Sequence, residues 1–372
     1  MKKTSGQKNE RSRALVLLVS TLMFLMFNMQ PLSAQDDPGK IARPDKLFSS
    51  EETLNVTITG PWRDVRGNKA NQEPYAGKIE FRDNQGKPVS LDLTVQRRGV
   101  ARQRVCKFPP IRLRFNKEEI KGTIFRGQDS LKMVTHCKRE KEFEQYFILE
   151  MLAYRMYNLI TEFSFRVRPL NVTYVDSETG RKDVDRFAFL IEDDSDVAKR
   201  LDLKKVNIEK IQVWQLEPRV TSEFTLFQYM IANVDWAALD GTKRDACCHN
   251  SKLIGPEPLR LEDKIYPIPY DFDSSGLVDP PYASTPAGLP MKSVTQRLYR
   301  GYCEFNNDLE AARELFLKQE TAIYSLINNE DRLYGKTKKK STKYIGEFFE
   351  IIKDPKDFDK NIIKKCRKLG RV

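Results

Sequence analysis

The hydrophobic pattern changes its period part-way along the chain, and this change constrains the fold more than any other feature of the 372 residues. In the first half, short segments alternate apolar and polar residues, as half-buried β-strands do. Three of the clearest are residues 54–59, 89–95 and 111–115. Residues 141–160 instead repeat apolar side chains at helical spacing, which dominates beyond about residue 195. The pattern predicts an α+β fold, with strands and one long helix first and then mainly helices.

The first 34 residues have the three parts of a secretory signal peptide. Basic residues precede an apolar run from Ala14 to Phe27, and the small residue Ala34 follows. That run is shorter than the roughly 20 residues of a membrane-spanning helix. We expect cleavage near Ala34, a linker over residues 35–50, and an exported protein, periplasmic or extracellular, with no stable transmembrane span. An uncleaved N-terminal anchor is the alternative.

Six cysteines follow this leader: Cys106, Cys137, Cys247, Cys248, Cys303 and Cys366. An even number in an exported chain favours disulfides, and the sequence leaves their pairing open. We expect the neighbours Cys247 and Cys248 not to bond to each other, because an ordinary disulfide needs more widely separated Cα atoms. Zinc is disfavoured because the chain has no C-x-x-C motif and only two histidines.

The formal charge of +12 comes from the two ends of the chain. Residues 1–34 carry +4 and residues 335–372 carry +8, so residues 35–334 are formally neutral. A neutral body argues against a nucleic-acid partner. We interpret residues 335–372 as a basic helical tail that either touches an anionic envelope surface or is simply solvated.

Residues 231–282 contain the chain's most informative polar groups. Asp235 follows an apolar helix, Asn250 precedes a short strand, and Asp271 and Asp273 follow another strand. Phosphoryl transfer uses one carboxylate to orient or deprotonate the attacking hydroxyl, and further Asn and Asp oxygens to hold a divalent metal. Oxygen ligands of this kind suit Mg²⁺ or Mn²⁺.

This order of residues resembles the CotH family of secreted and spore-coat protein kinases, within the wider set of atypical kinase-like folds. The resemblance covers roughly residues 90–300. It implies a two-lobed protein-kinase-like fold, with a strand-rich N-lobe over residues 51–193 and a helical C-lobe over residues 194–334.

The resemblance also implies an activity, which is transfer of the γ-phosphoryl of ATP to a hydroxyl of a protein or other envelope substrate, with Mg²⁺ or Mn²⁺. It assigns the catalytic role to Asp235. It assigns metal binding to Asn250 and Asp271, with Asp273 as a possible second carboxylate ligand. We read His249 as a positioning residue.

The nucleotide-binding residues that the resemblance implies lie mostly in the first half: Arg98, Gly99, Arg112, Arg114, Lys132, Glu150 and Glu192. Arg98-Gly99 resembles the family's Arg-Gly turn, and residues 187–192 resemble its strand before the adenine hinge. Residues 141–160 resemble the helix that supplies a Glu, where Glu150 is preferred over Glu144. The nucleotide-contacting Lys is replaced by Arg112, Arg114 or Lys132, and no complete G-x-G-x-x-G is present.

Two other hypotheses stay open. One is a catalytically silent binding or envelope-assembly protein that keeps the kinase fold. The other is a calcium-stabilised carbohydrate-binding module on the strand-rich half. Residues 271–276 do resemble the start of a calcium loop, but Tyr282 stands where an EF-hand needs a bidentate Glu.

Overall fold

The computed structural model describes residues 46–67, 73–99, 101–241 and 247–369. The predicted signal peptide, its cleavage point and most of the predicted linker lie outside these residues. The described residues belong to one compact unit. None of the helices within these ranges is both long and apolar enough to cross a membrane.

Seven strands of the first half close into a barrel in the order β1-β2-β3-β4-β5-β7-β6. The strands are β1 (Leu54–Gly60), β2 (Tyr75–Arg82), β3 (Pro88–Arg97), β4 (Ile111–Phe115), β5 (Ser130–Val134), β6 (Val167–Asp176) and β7 (Lys182–Ile191). Neighbours are antiparallel except β1 and β6, whose parallel pairing closes the barrel. These strands confirm the segments that alternation predicted.

Alternation along each strand decides what fills the barrel. Leu113 on β4 and Leu131 on β5 are fully buried and face each other across the strand pair. Side chains that alternate with them point to the opposite face, because successive residues of a strand do so. Trp62, on the short helix α1 (Trp62–Gly67), is buried in the same core, and its indole N–H donates to the carbonyl of Ile58 at 3.2 Å.

The outer face of one side of the barrel is also apolar, and helices cover it. Phe189 and Ile191 of β7 are buried in a second core together with the helices of the C-terminal half. The remaining helices are α2 (Ala101–Val105), α3 (Glu144–Asn158), α4 (Asp194–Arg200), α5 (Pro218–Met230), α6 (Leu309–Asn328), α7 (Gly335–Lys353) and α8 (Pro355–Asn361). The long helix predicted over residues 141–160 is α3, preceded by a 3₁₀ turn over Lys141–Phe143.

A small antiparallel sheet lies within the second half. Its strands, in the order β10-β9-β8, are β8 (Lys204–Lys205), β9 (Ser251–Gly255) and β10 (Tyr266–Pro269). The predicted helices at residues 224–234 and 307–327 correspond to α5 and α6. The second half is therefore helix-rich as expected, with this sheet carrying the predicted site residues at its strand ends.

The two-lobed kinase-like fold that the resemblance implied is wrong. The strands close on themselves into a seven-stranded mixed barrel, and helices follow in the C-terminal region. One apolar core runs across residue 193, the expected lobe boundary, and joins Ile148 of α3 and Phe189 of β7 to Phe227 of α5. The apolar outer wall of the barrel needs cover from water, and the C-terminal helices supply it. Only the coarser α+β description fits this arrangement.

The C-terminal segment is part of this core. Ile345, Phe348 and Ile352 form a fully buried stripe along α7, although the same helix carries most of the predicted tail's lysines. A disulfide between Cys303 and Cys366 ties the end of the chain to the segment before α6. The interpretation of residues 335–372 as a solvated tail therefore fails for the apolar face of α7.

The disulfides confirm that cysteines pair in this chain. Cys106 is bonded to Cys137, which joins the end of α2 to the segment after β5. The expectation that the neighbours Cys247 and Cys248 do not bond to each other stays a prediction.

Leu113→Ala should lower the free energy of unfolding by about 2–5 kcal/mol, because it leaves a cavity in the closed barrel. Urea denaturation of the full chain measures this change. Leu261→Ala is the matched control: Leu261 is 71% exposed, so its truncation should change stability by no more than about 0.5 kcal/mol. Equal losses for both variants would contradict the barrel core described here.

Candidate functional site

Helix α5 positions Asp235, which follows its C-terminal end. The helix begins where the Glu217 carboxylate accepts a hydrogen bond from the Val220 N–H, with Pro218 at the first helical position. It ends shortly before Ala232, whose φ of 49° is in the left-handed region and turns the chain away from the helix axis. The side chain of Asp235 is 42% exposed, so its carboxylate is open to solvent and to a ligand.

Asp235, His249 and Asn250 form a hydrogen-bonded group. The Nε2 of His249 lies 2.9 Å from Oδ1 of Asp235. The Asn250 amide nitrogen donates to the Asp235 backbone carbonyl at 2.8 Å and to Oδ2 at 3.1 Å. Asn250 has a φ of 47°, which Asn tolerates better than most residues. Because its amide nitrogen is committed to Asp235, its side-chain oxygen is the atom left for a ligand.

Asp271 lies on the adjoining segment. The Tyr270 N–H donates to the Asn250 backbone carbonyl at 3.2 Å, and the Asp271 N–H donates to the hydroxyl of Tyr154 at 2.9 Å. Asp271 also has a left-handed φ, 64°. Burial raises the pKa of Asp271, the negative charge of Asp273 raises it further, and Asp235 adds a smaller contribution in the same direction. Asp235, Asn250 and Asp271, which the sequence only ordered along the chain, are therefore neighbours.

The buried side chain of Arg102, on α2, binds the acidic side chains of the site. Its guanidinium donates to Glu150 of α3 at 2.7 Å, to Asp273 at 2.7 Å and to Asp271 at 3.3 Å. Asp273 additionally accepts a hydrogen bond from the Tyr282 hydroxyl at 3.0 Å. The cationic partner of Glu150 is thus Arg102, which was not among the predicted site residues. Among the many basic residues between 97 and 104, no spacing rule singled it out.

A single guanidinium contacts three carboxyl groups. The excess of acidic groups over the one cation affects the pKa values of the cluster. Burial, followed by the charges of Asp273 and Asp271, raises the pKa of Glu150 to about 8, although Arg102 acts to lower it. Burial alone would lower the pKa of Arg102, but Asp273 and Glu150 more than offset this and raise it well above its usual value. Arg102 therefore stays charged, and Glu150 is the carboxyl that holds a proton at neutral pH.

Three cations, Arg98, Lys132 and Lys252, form a group beside Tyr270, the residue before Asp271. Lys132 projects from the outer face of β5, because Leu131 and Met133 beside it point into the barrel. The Nζ atoms of Lys132 and Lys252 lie 5.4 Å and 5.3 Å from the ring centre of Tyr270. Burial, then the positive charge of Arg98, lowers the pKa of Lys132 to about 8.

These cations are half-buried, and Arg98 is electrostatically coupled to Asp271. Within the described ranges, Arg98, Lys132 and Lys252 each lack a carboxylate within 4.0 Å. Asp193 and Asp194 attract Lys132 from beyond this distance. A cluster of partly desolvated positive charges without close carboxylate partners favours an anionic ligand. Lys252 was missed at the level of sequence, where it stood two residues after Asn250 in an ordinary strand pattern.

The other predicted nucleotide-binding residues mostly have hydrogen-bond partners elsewhere or lie at exposed positions. Arg112 pairs in register with Lys132 and donates to Ser130 at 2.8 Å, so it borders the cation cluster. Arg114 is exposed and donates to Gln96 at 2.5 Å. Gly99 is exposed with a φ of 84°. Glu192 is buried, accepts from Arg200 at 3.2 Å and from the Arg166 N–H at 3.0 Å, and so joins the end of β7 to α4.

The residues present fit a divalent metal only in part. Asp273 is 11% exposed and already accepts hydrogen bonds from Arg102 and Tyr282, so it is better suited to holding Arg102 than to binding metal. Asp271, 43% exposed, and the side-chain oxygen of Asn250 are the two available ligands. Two protein oxygens suit Mg²⁺, which usually keeps waters and substrate phosphates in its remaining positions. The described residues contain no group of three or more His, Cys, Asp or Glu side chains placed to hold a metal.

No protein-family model and no curated protein matches this sequence. The resemblance to the CotH family therefore depends on the motif residues alone, and the roles that it implies stay predictions.

Glu150→Gln tests the shared charge around Arg102. The pKa of Glu150 is about 8 in the folded protein against 4.5 ordinarily, so its stabilising effect is complete below pH 4.5 and is lost as the pH rises through 8. Between pH 5 and pH 8, wild-type stability should fall relative to the variant by about 1.4 kcal/mol for each pH unit. Urea unfolding at each pH measures the difference.

The exposed hairpin residue Glu178 supplies the control for this experiment. Glu178→Gln should follow the wild-type pH dependence throughout. If Glu150→Gln also runs parallel to the wild type, Glu150 is ionised in the folded protein and the charge assignment is wrong.

Proposed function

We propose that this chain is an exported phosphotransferase that moves the γ-phosphoryl of ATP to a hydroxyl of a protein or other envelope substrate, with Mg²⁺ or Mn²⁺. The observation that carries this proposal is the placement of Asp235, Asn250 and Asp271 side by side, near cations without close carboxylate partners. An acceptor base next to oxygen ligands, with a cation cluster nearby, is the set of groups that phosphoryl transfer uses. The set itself, and not a kinase fold, supports this reaction.

Asp235 is the residue suited to the acceptor hydroxyl. Its carboxylate is half-exposed, and His249 and Asn250 fix its orientation through hydrogen bonds of 2.9 Å and 3.1 Å. A carboxylate held in this way can orient the hydroxyl and accept its proton as the new bond forms. His249 acts as a positioning residue, because it contacts the carboxylate and not the reacting atoms.

The phosphates of ATP would lie against Arg98, Lys132 and Lys252. These cations gain favourable interactions when an anion enters, which offsets the cost of their partial burial. Asp271 and the Asn250 oxygen would hold the metal, which when bound neutralises phosphate charge. Arg102 keeps Asp271, Asp273 and Glu150 in place without contacting the nucleotide, since it is buried beneath them.

A second candidate, a nucleotide-binding or envelope-assembly protein without catalysis, has one observation in its favour. Arg102 supplies an internal cation to Asp271 and Asp273, where a metal would otherwise be the only counter-charge. Nucleotide could then bind at the cation cluster while turnover fails. The wild-type chain would show ATP binding but no phosphoryl transfer under any divalent metal condition.

Three substitutions separate the roles within the site. Asp235→Asn should lower the rate of phosphoryl transfer by roughly 10²–10⁴ and leave ATP binding largely intact, because Asp235 acts on the acceptor. Lys132→Met should weaken ATP binding by tenfold or more, since a charge-assisted contact contributes about 1.5–3 kcal/mol. Asp271→Ala should remove the metal dependence of the thermal shift caused by ATP.

These effects are measured by transfer of labelled phosphate from ATP and by thermal unfolding with ATP and Mg²⁺ or Mn²⁺. Lys78→Met is the control, because Lys78 is an exposed lysine of β2 outside the site. A wild-type protein that neither binds nor turns over ATP with either metal, together with an Asp271→Ala variant of unchanged thermal response, would refute the phosphotransferase proposal.

A further inference from the structure

A concave surface lies away from the acidic cluster. It is a groove of about 1080 Å³ between the outer wall of β1, β2, β6 and β7, the start of α3, and residues 331–334. None of the residues assigned to phosphoryl transfer lines it. Its volume is at the upper limit of pockets for single small molecules, about 300–1,000 Å³, so it has space for several linked rings.

Short uncharged polar side chains form the floor of the groove in two rows. Asn55 on β1 and Asn171 on β6 stand in register, and the Asn171 amide donates to the Asn55 oxygen at 2.9 Å. Thr57 and Thr173 form the next row, where the Thr173 hydroxyl donates to Asp185 at 2.7 Å. The rows are about 6.6 Å apart along the strands, which is comparable with the width of a sugar ring.

The charges of the groove are balanced. Five acidic and five basic side chains line it, so it has no net attraction for a polyanion or a polycation. The amide and hydroxyl groups on its floor each carry both a donor and an acceptor. A ligand hydroxyl also both donates and accepts, and adjacent hydroxyls on a ring can satisfy such pairs without any charge.

The apolar residues of the groove are mostly covered. Phe187 is 5% exposed, and the Arg332 guanidinium lies over its ring at 4.8 Å. Tyr334 provides an exposed aromatic ring at the rim, with 44% of its surface accessible. Its backbone N–H donates to Gln145 at 2.8 Å, which fixes the position of the ring's attachment. An exposed aromatic ring beside polar pairs suits a ligand with one C–H face and a hydroxyl edge.

We propose that this groove is a binding site for a neutral oligosaccharide, with Asn55, Thr57, Asn171 and Thr173 bonding its hydroxyls and Tyr334 packing on a ring face. The site is independent of the phosphotransferase cluster. The sugar is either a free oligosaccharide or part of a polysaccharide, and both present the same hydroxyl chemistry.

The full chain is tested by calorimetry against hexaoses of glucose and of N-acetylglucosamine, polymers of the same sugars, and a sulfated hexasaccharide. At least one neutral probe should bind, and the sulfated probe should bind no more tightly. Asn171→Ala and Tyr334→Ala should each weaken binding about tenfold, as expected when one or two hydrogen bonds or one stacked ring is lost. A polymer that binds where its hexaose does not identifies a polysaccharide ligand, and comparable affinities identify a free oligosaccharide.

Two control variants accompany these measurements. Thr94→Val on β3 changes a half-buried strand threonine that does not line the groove, and Asp235→Asn changes only the phosphotransferase cluster. Both should bind saccharide as the wild type does, and thermal unfolding verifies that every variant is folded. The proposal is overturned if no neutral saccharide binds, or if binding survives Asn171→Ala and Tyr334→Ala unchanged.

Discussion

The buried guanidinium of Arg102 is the interaction on which the site depends. It joins Glu150 of the long helix to Asp271 and Asp273 of the loop after β10, and so connects the helix beside the barrel to the segment that carries the metal-binding candidates. Its removal would leave carboxylates without a counter-charge in a buried environment, which costs about 3–5 kcal/mol for a broken buried pair. Arg102 holds the carboxylates of the site in place. In the sequence it is one of several neighbouring basic residues, and no pattern distinguishes it from them.

The barrel wall determines which charges meet this acidic cluster. Since every second residue of a strand faces outward, the buried pair Leu131 and Met133 fixes Lys132 on the outer face. The register between β4 and β5 then sets Arg112 beside it. The same alternation on β1 and β6 produces the polar rows of the groove. The placement of Lys132 and the polar rows of the groove are thus both consequences of one closed sheet whose interior is mostly apolar.

The sequence predicted local structure well and long-range structure poorly. The strands and the helix at residues 141–160 follow from periodicity, which is a local signal. The order of Asp235, Asn250 and Asp271 along the chain did not by itself show that they are neighbours. Barrel closure depends on pairing Leu54 with Leu170, and no pattern in either strand encodes the identity of its partner. The two-lobed fold came from the resemblance of a few motif residues, which carries no information on how the strands pair. The apolar stripe of α7 is present in the sequence. The lysines of the same helix led to the prediction of a solvated tail, which describes only its exposed face.

The parallel contact between β1 and β6 has a consequence for the order of folding. During synthesis β1 emerges first, and β2 can pair with it at once, but its other edge has no partner until β6 has followed more than a hundred residues later. Non-local pairing of this kind is slow, because the loop entropy is lost before the contact forms. An open strand edge is also a template for association with other chains. The nascent protein therefore passes through a long interval in which it is most vulnerable to aggregation, and this interval ends only when the barrel closes.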